Sequence, residues 1–312
     1  MRWRGRRQSS NIEDRRGTGG RARGGLGGLG RLRIPMGRGR KGRGRVGRSA
    51  GLGGFGLIAV VVIAMFLGVD PTQFLTGGGS GPVSVPSQST SRQLSPGADP
   101  LRDFVAVVLA DTEDVWHAQF RRQLDAAYRE PNLVLFENGV ESACGYAGSA
   151  VGPFYCPGDQ KVYLDLGFFQ QLKQRFGAPG DFAQAYVIAH EVGHHVQTLL
   201  GISQEVRKVQ RGLPEAEANE LSVMLELQAD CFAGLWANHA ERTKQILEAG
   251  DIDEALGAAS AIGDDTLQRQ ARGYVTPDSF THGTSDQRQR WFKRGFQEGR
   301  LEACDTFSAS AL

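Results

Sequence analysis

Two short segments hold the residues able to do chemistry. In VIAHEVGHHVQ, His190 and His194 stand four apart with Glu191 between them. On a helix, side chains four apart leave one face a single turn apart, so both imidazoles can reach one ion. Two neutral imidazoles and a carboxylate bind zinc with a fourth tetrahedral place left for water, whose pKa the metal lowers to roughly 7. Glu191, beside that open place, is positioned to take the proton. The carboxylate is found in LELQADCFAG, where Glu226 is followed four residues later by Asp230. In this E-x-x-x-D spacing the Glu ligates and the Asp accepts the second N–H of a ligand histidine. An H-E-x-x-H arises by chance in a chain of this composition roughly once in a hundred, so the agreement of two separate segments carries the expectation of one catalytic Zn2+. Met224, Leu225, Leu227, Cys231 and Phe232 surround the two acids, and an unpaired carboxylate among them would cost several kcal/mol. His195 points about 100° away from His194 by helix geometry and reads as structural; His117 and His239 read as surface or packing residues.

A metal alone would face the developing carbonyl oxyanion with one positive centre, so a second donor is expected. The segment YVTPDSFTHGTSDQR offers Tyr274, His282 and Arg288 in a Pro- and Gly-punctuated loop, the kind of element that can present side chains to a cleft. His282 is the preferred donor and Tyr274 the alternative, which makes Glu191 and His282 the expected catalytic pair.

The elements that must position these residues are legible in outline. Residues 101–128 carry apolar side chains at three- and four-residue spacing and predict a long or broken helix ending before Pro131. Residues 133–136 and 161–166 (KVYLDL) are strand candidates, with a Gly-rich loop between them and a turn at Asp159-Gln160. KVYLDL is read as a possible edge strand for an extended substrate. Asp181 after Gly180, with Gln184 three residues on, suggests a capping box opening the His190 helix, and Gly201 closes it. A second helix opens near Pro214 with Glu215 and Glu217 in its first turn and runs past Glu226 to about His239. A C-terminal helix follows over WFKRGFQEGRLE.

The 312 residues change character near residue 70. Residues 1–48 hold 16 Lys and Arg against Glu13 and Asp14, a net of +14, while the remainder holds 20 basic against 32 acidic residues, a net of −12. The Gly/Arg composition of 1–48 predicts a disordered tail, because it has little apolar surface to bury against the entropy of ordering. Residues 49–69 are uncharged and strongly apolar at their centre, long enough as a helix to span roughly 30 Å of bilayer. Basic residues before this run and acidic chain after it predict one transmembrane helix with the N-terminus cytoplasmic and the larger part outside. Contact of the basic tail with anionic lipid follows. Nucleic-acid binding by GRGRKGRGRVGR is disfavoured, since aromatic interleaving is absent apart from Trp3. Residues 70–99 read as a flexible linker, and 100–312 as a single catalytic domain. Cys144, Cys156, Cys231 and Cys304 all lie in that domain, none in a C-x-x-C pair. They suit structural disulfides in an oxidising compartment, with Cys144–Cys156 the natural local pair and Cys231–Cys304 the remaining one.

Four segments, GPFYCPGDQKVYLDLGFF, RFGAPGDFAQAYVIAHEVGHHVQ, ELQADCFAGLWA and SFTHGTSDQRQRWFKRGF, together resemble the bacterial neutral zinc metallopeptidases of the YpfJ type over residues 98–308. The resemblance implies a gluzincin-like fold with His190, His194 and Glu226 as zinc ligands and Glu191 as base. The expected fold is therefore α+β and predominantly helical, a zincin of the minigluzincin kind with a small β-sheet, preceded by the transmembrane helix. The expected activity is hydrolysis of peptide bonds in a protein or peptide substrate. A zinc-stabilised, membrane-anchored binding or scaffold protein is the non-enzymatic alternative, which Glu191 argues against because a structural zinc site needs no base beside an open position.

Overall fold

The computed structural model describes residues 1–17 and 99–312. In chain order the strands are β1 (Ile12–Asp14), β2 (Asn132–Phe136), β3 (Gly139–Ser142), β4 (Gly145–Gly148), β5 (Phe154–Cys156) and β6 (Lys161–Asp165). The helices are α1 (Pro100–Gln123), α2 (Gly167–Gln174), α3 (Asp181–Leu199), α4 (Ile202–Gln210), α5 (Glu215–Lys244), α6 (Asp251–Ala261), α7 (Asp264–Arg272) and α8 (Ser285–Glu298). The predominantly helical α+β expectation holds.

The principal sheet has the order β1-β2-β6-β5, parallel except for the β5–β6 pair. Leu133 pairs with Val162 and Leu135 with Leu164 on the face turned to the helices, while Val134, Phe136 and Tyr163 face a smaller cluster with Val140, Ala147 and Cys156. Because both faces are covered, β2 reads as an unbroken apolar run rather than an alternation. KVYLDL is thus an interior strand, paired on both sides, and the substrate-edge role foreseen for it is withdrawn. The turn at Asp159-Gln160 does close the β5–β6 hairpin: Gln160 takes a left-handed φ of 57° and Asp159 accepts from the Lys161 amide.

The centre of the helical layer is α3, buried along nearly its whole length against α1, α5 and α6. Its N-terminus departs from the expected capping box. Asp181 is the first helical residue, Gly180 precedes it without a side-chain cap, and the Phe182 amide instead donates to Glu254 of α6 at 3.0 Å. A long-range carboxylate does what a local one was expected to do. Helices α5 and α8 pack backbone to backbone. A Cβ on Gly295 would stand 1.9 Å from the Cys231 carbonyl oxygen, so only glycine allows that approach.

The amino-terminal reading requires correction. Residues 1–17 are not a disordered tail but part of the domain. Met1 is buried, β1 extends the sheet in parallel register (Ile12 with Leu133, Asp14 with Leu135), and Trp3 packs edge-on against Phe104 at 5.5 Å. The charged and polar groups of this segment answer acids on α1: Glu113, and Asp111, which Lys244 also meets at 2.7 Å. Arg6 meets Asp111 at 2.8 Å, and Arg7, Ser9 and Asn11 all bond Glu113. The Met1 ammonium lies 2.5 Å from Asp181, at the start of α3. Arg16 in turn pairs with Asp99, the N-cap residue of α1, at 2.6 Å.

This geometry bears on topology. The stretch 49–69 read as a transmembrane helix lies outside the described residues, and among those residues no helix is long and apolar enough to cross a membrane. Residues 17 and 99, however, leave one and the same sheet-and-helix unit. A single crossing between them would put β1 and β2 on opposite sides of a bilayer, which their hydrogen-bonded pairing forbids. The arrangement with the N-terminus inside and the domain outside is therefore set aside.

Candidate active site

Helices α3 and α5 cross close enough at Gly193 that a Cβ there would come within 3.1 Å of the Ala229 backbone. That approach brings Glu226 to the two histidines. His190 Nε2 lies 3.2 Å from His194 Nε2 and 3.2 Å from a Glu226 oxygen, and His194 Nε2 lies 3.4 Å from the other. One ligating atom from each of the three residues falls within 4.8 Å of the others.

Asp230 accepts from His190 Nδ1 at 2.8 Å, as the E-x-x-x-D spacing predicts. The structure adds what the spacing could not show. Arg288, on α8 and 2% exposed, grips both Asp230 oxygens at 2.8 and 3.0 Å, and the Tyr186 hydroxyl donates to the same carboxylate. Burial works to raise the Asp230 carboxyl, yet Arg288 and His190 bring it down to about 2. A charged Asp230 fixes a His190 proton on Nδ1; without a metal, and against the effect of burial, Asp230 and Glu226 also raise the imidazole to about 10, so the Nε2 proton facing Glu226 is the one a bound cation would displace. Burial likewise opposes ionisation of Glu226, and His194 and His282 overcome it, holding the group well below the usual carboxylate range. Two imidazole Nε2 atoms and an anionic carboxylate thus converge on one point, where Glu226 favours positive charge on both rings and a cation can take the place of their protons. Two imidazole nitrogens and a carboxylate are donors that suit zinc.

Glu191 is 8% exposed, and burial raises its pKa. Its carboxylate makes no hydrogen bond or ion pair among the described residues, though every other carboxylate of this centre has one. His195 proves structural, as expected: its ring bridges the Arg129 carbonyl at 2.6 Å and the Tyr155 hydroxyl at 3.1 Å.

His282 enters from the loop before α8. Asp264 clamps that loop by accepting from the amides of Thr281, His282 and Gly283, and one of its oxygens lies 3.3 Å from His282 Nδ1. Burial depresses the imidazole, but Glu226 and Asp264 together raise it. Tyr274, the alternative donor, is 61% exposed with the Arg272 guanidinium over its ring, and does not join the site. Arg288 also departs from its reading as a loop residue: it sits inside a helix, behind the ligand shell. Asp264, Tyr186, Gln197 and Gln228 were not anticipated. Their signal was faint: Tyr186, Gln197 and Gln228 are polar side chains within largely apolar helices, and Asp264 reads as an ordinary acid of a first helical turn.

The family model described as "Putative neutral zinc metallopeptidase" matches residues 1–307. The chain belongs to this family. The match takes in residues 1–17, in keeping with their place in the sheet. YpfJ of Escherichia coli K12 is 50% identical over 311 residues, covering 99% of this chain and 100% of that protein. Rv2575 of Mycobacterium tuberculosis H37Rv and Mb2605 of Mycobacterium bovis are each 41% identical over 271 residues, 80% of this chain and 86% of theirs. All three carry the description of uncharacterized proteins. No solved structure matches the chain.

Proposed function

We propose that this protein is a zinc-dependent peptidase that hydrolyses peptide bonds in proteins or peptides, with His190, His194 and Glu226 holding one zinc ion. Zinc, when bound, supplies Lewis acidity that acidifies water and polarises a carbonyl. Glu191 then serves as general base. Its carboxylate keeps some solvent access and has no fixed partner, and the pKa that burial raises suits a group that accepts a proton and later returns it to the leaving amine. His282, charged between Asp264 and Glu226, donates to the carbonyl oxygen as negative charge develops there. The Thr281 hydroxyl at 3.0 Å and Asp264 at 3.3 Å both hold Nδ1, which leaves Nε2 as the nitrogen for this role.

The unpaired, buried Glu191 carries this reading over a zinc-stabilised scaffold, which would have no use for such a group. A single membrane crossing is no part of it, given the common side of residues 17 and 99. The test pairs metal and turnover. Wild-type protein should hold one zinc by elemental analysis and release peptides from casein, while Glu191→Gln keeps the metal and loses activity by roughly two to four orders of magnitude. Wild-type protein without zinc after metal-replete purification, or Glu191→Gln with full turnover, would reject the proposal.

A further inference from the structure

His194 Nδ1 lies 2.9 Å from Gln197 Oε1, one turn along α3. The amide has no freedom to flip. Gln197 Nε2 lies 2.6 Å from the Leu225 carbonyl and 3.2 Å from Gln228 Oε1, and a backbone carbonyl can only accept. The nitrogen must face α5, so the oxygen must face His194. Gln228 is oriented in the same way, because its own Nε2 donates to the Cys304 carbonyl at 3.0 Å. Every donor in the series therefore has one direction: His194 to Gln197, Gln197 to Gln228, Gln228 to Cys304. Nδ1 is thereby fixed as a proton donor, and Nε2, the atom aimed at Glu226 and His190, is the one left to exchange its proton for a metal.

The amides and their final acceptor are buried, with Gln197 and Cys304 at 0% exposure and Gln228 at 4%. Its far end is firmly held, since Cys304 is bridged to Cys231 of α5 and the Thr306 hydroxyl donates to the Met224 carbonyl. We propose that Gln197 is a positioning residue that selects the metal-binding tautomer of His194, and that through Gln228 and Cys304 this selection depends on attachment of the C-terminal segment. His190 is oriented by a charged pair, Asp230 with Arg288, whereas His194 is oriented by neutral amides ending on a backbone carbonyl.

The inference rests on the zinc reading, and one pair of variants separates the two. In the full chain, zinc affinity is measured by competition with a chelator, and the melting temperature is measured on metal-free protein. Gln197→Leu removes the acceptor and should weaken zinc binding by roughly 10- to 100-fold, the usual effect of losing a partner behind a ligand. Gln197→Glu keeps an acceptor for Nδ1–H, so its zinc affinity should stay within about threefold of wild type. Its metal-free form should melt lower, because a carboxylate cannot donate to Leu225 and abuts the Gln228 oxygen. Gln228→Leu, which leaves Gln197 held by Leu225 alone, should fall between wild type and Gln197→Leu, and it reads the same relay if Gln197→Leu does not fold. Wild-type zinc affinity in Gln197→Leu or Gln228→Leu, or equal losses in Gln197→Leu and Gln197→Glu, would overturn the positioning role. Absence of zinc binding in wild type would instead overturn the metal centre itself.

Discussion

His194 and His195 are neighbours in sequence with opposite electrostatic fates. Burial draws the His195 imidazole down to about 4, because its two partners, a carbonyl and a phenol, offer no charge to hold a proton. The unfolded chain binds that proton near 6.5 and the folded one does not until about 4. This contribution to stability is complete above pH 6.5 and is lost as pH falls from there through 4. The difference corresponds to about 3 kcal/mol. Denaturant unfolding of metal-free protein should therefore weaken between pH 7 and 4 by about that amount more in wild type than in His195→Gln, and equal slopes would refute the assignment. His282 calls for a kinetic measurement. His282→Ala should lower kcat and kcat/KM together, as loss of a transition-state contact does, with zinc content unchanged. An effect on KM or thermal stability alone would make His282 a binding or structural residue.

Among the elements, α5 carries the most connections. It supplies Glu226, Asp230 and Gln228, receives α8 along one side, and is stapled by Cys231 to Cys304 near the C-terminus. The second bridge joins Cys144 to Cys156, closing the loop that carries β4 and β5. Non-reducing peptide mapping should recover both links and no free thiol, whereas any other pairing would displace Gln228's acceptor or open the β5–β6 hairpin. Interior pairing of β6 leaves β1 and β5 as the outer strands of the sheet, and α3 packs directly against β5.

At the scale of the whole molecule, the decisive element is the shortest. Residues 1–17 bury Met1, cover β2 and neutralise acids of α1, so a chain beginning at residue 98 lacks part of its own core. Losing the burial of Met1, Ile12 and Trp3 should cost about 3–5 kcal/mol and lower the melting temperature by roughly 10 °C. Differential scanning calorimetry of full-length and truncated protein measures this, and equal melting would show the segment to be dispensable. The same contacts fix sidedness. Single cysteines introduced at Gln8 and Tyr146, both exposed, should react with an impermeant maleimide from the same side of any membrane the protein adjoins; opposite reactivity would contradict the β1–β2 pairing.

Sequence alone marked the three candidate ligands, the candidate base and the Asp230 partner of the first histidine, because those positions ride on local helical spacing. Four residues per turn place His190 with His194 and Glu226 with Asp230 whatever else the chain does. It also determined the helix of the C-terminus and the local disulfide. Composition misled where tertiary contacts compensate for it. Residues 1–17 belong to a Gly- and Arg-rich beginning whose composition offers little to order itself, but buried acids on α1 and an open edge of β2 supply what these residues lack. Only the folded structure decided that KVYLDL is interior, that Glu254 rather than a neighbouring residue caps α3, and that Arg288 and the Gln197–Gln228 amides stand behind the two histidines. Each of those pairings joins residues tens to hundreds of positions apart, and such partners are chosen by how helices and strands pack, which no local spacing records.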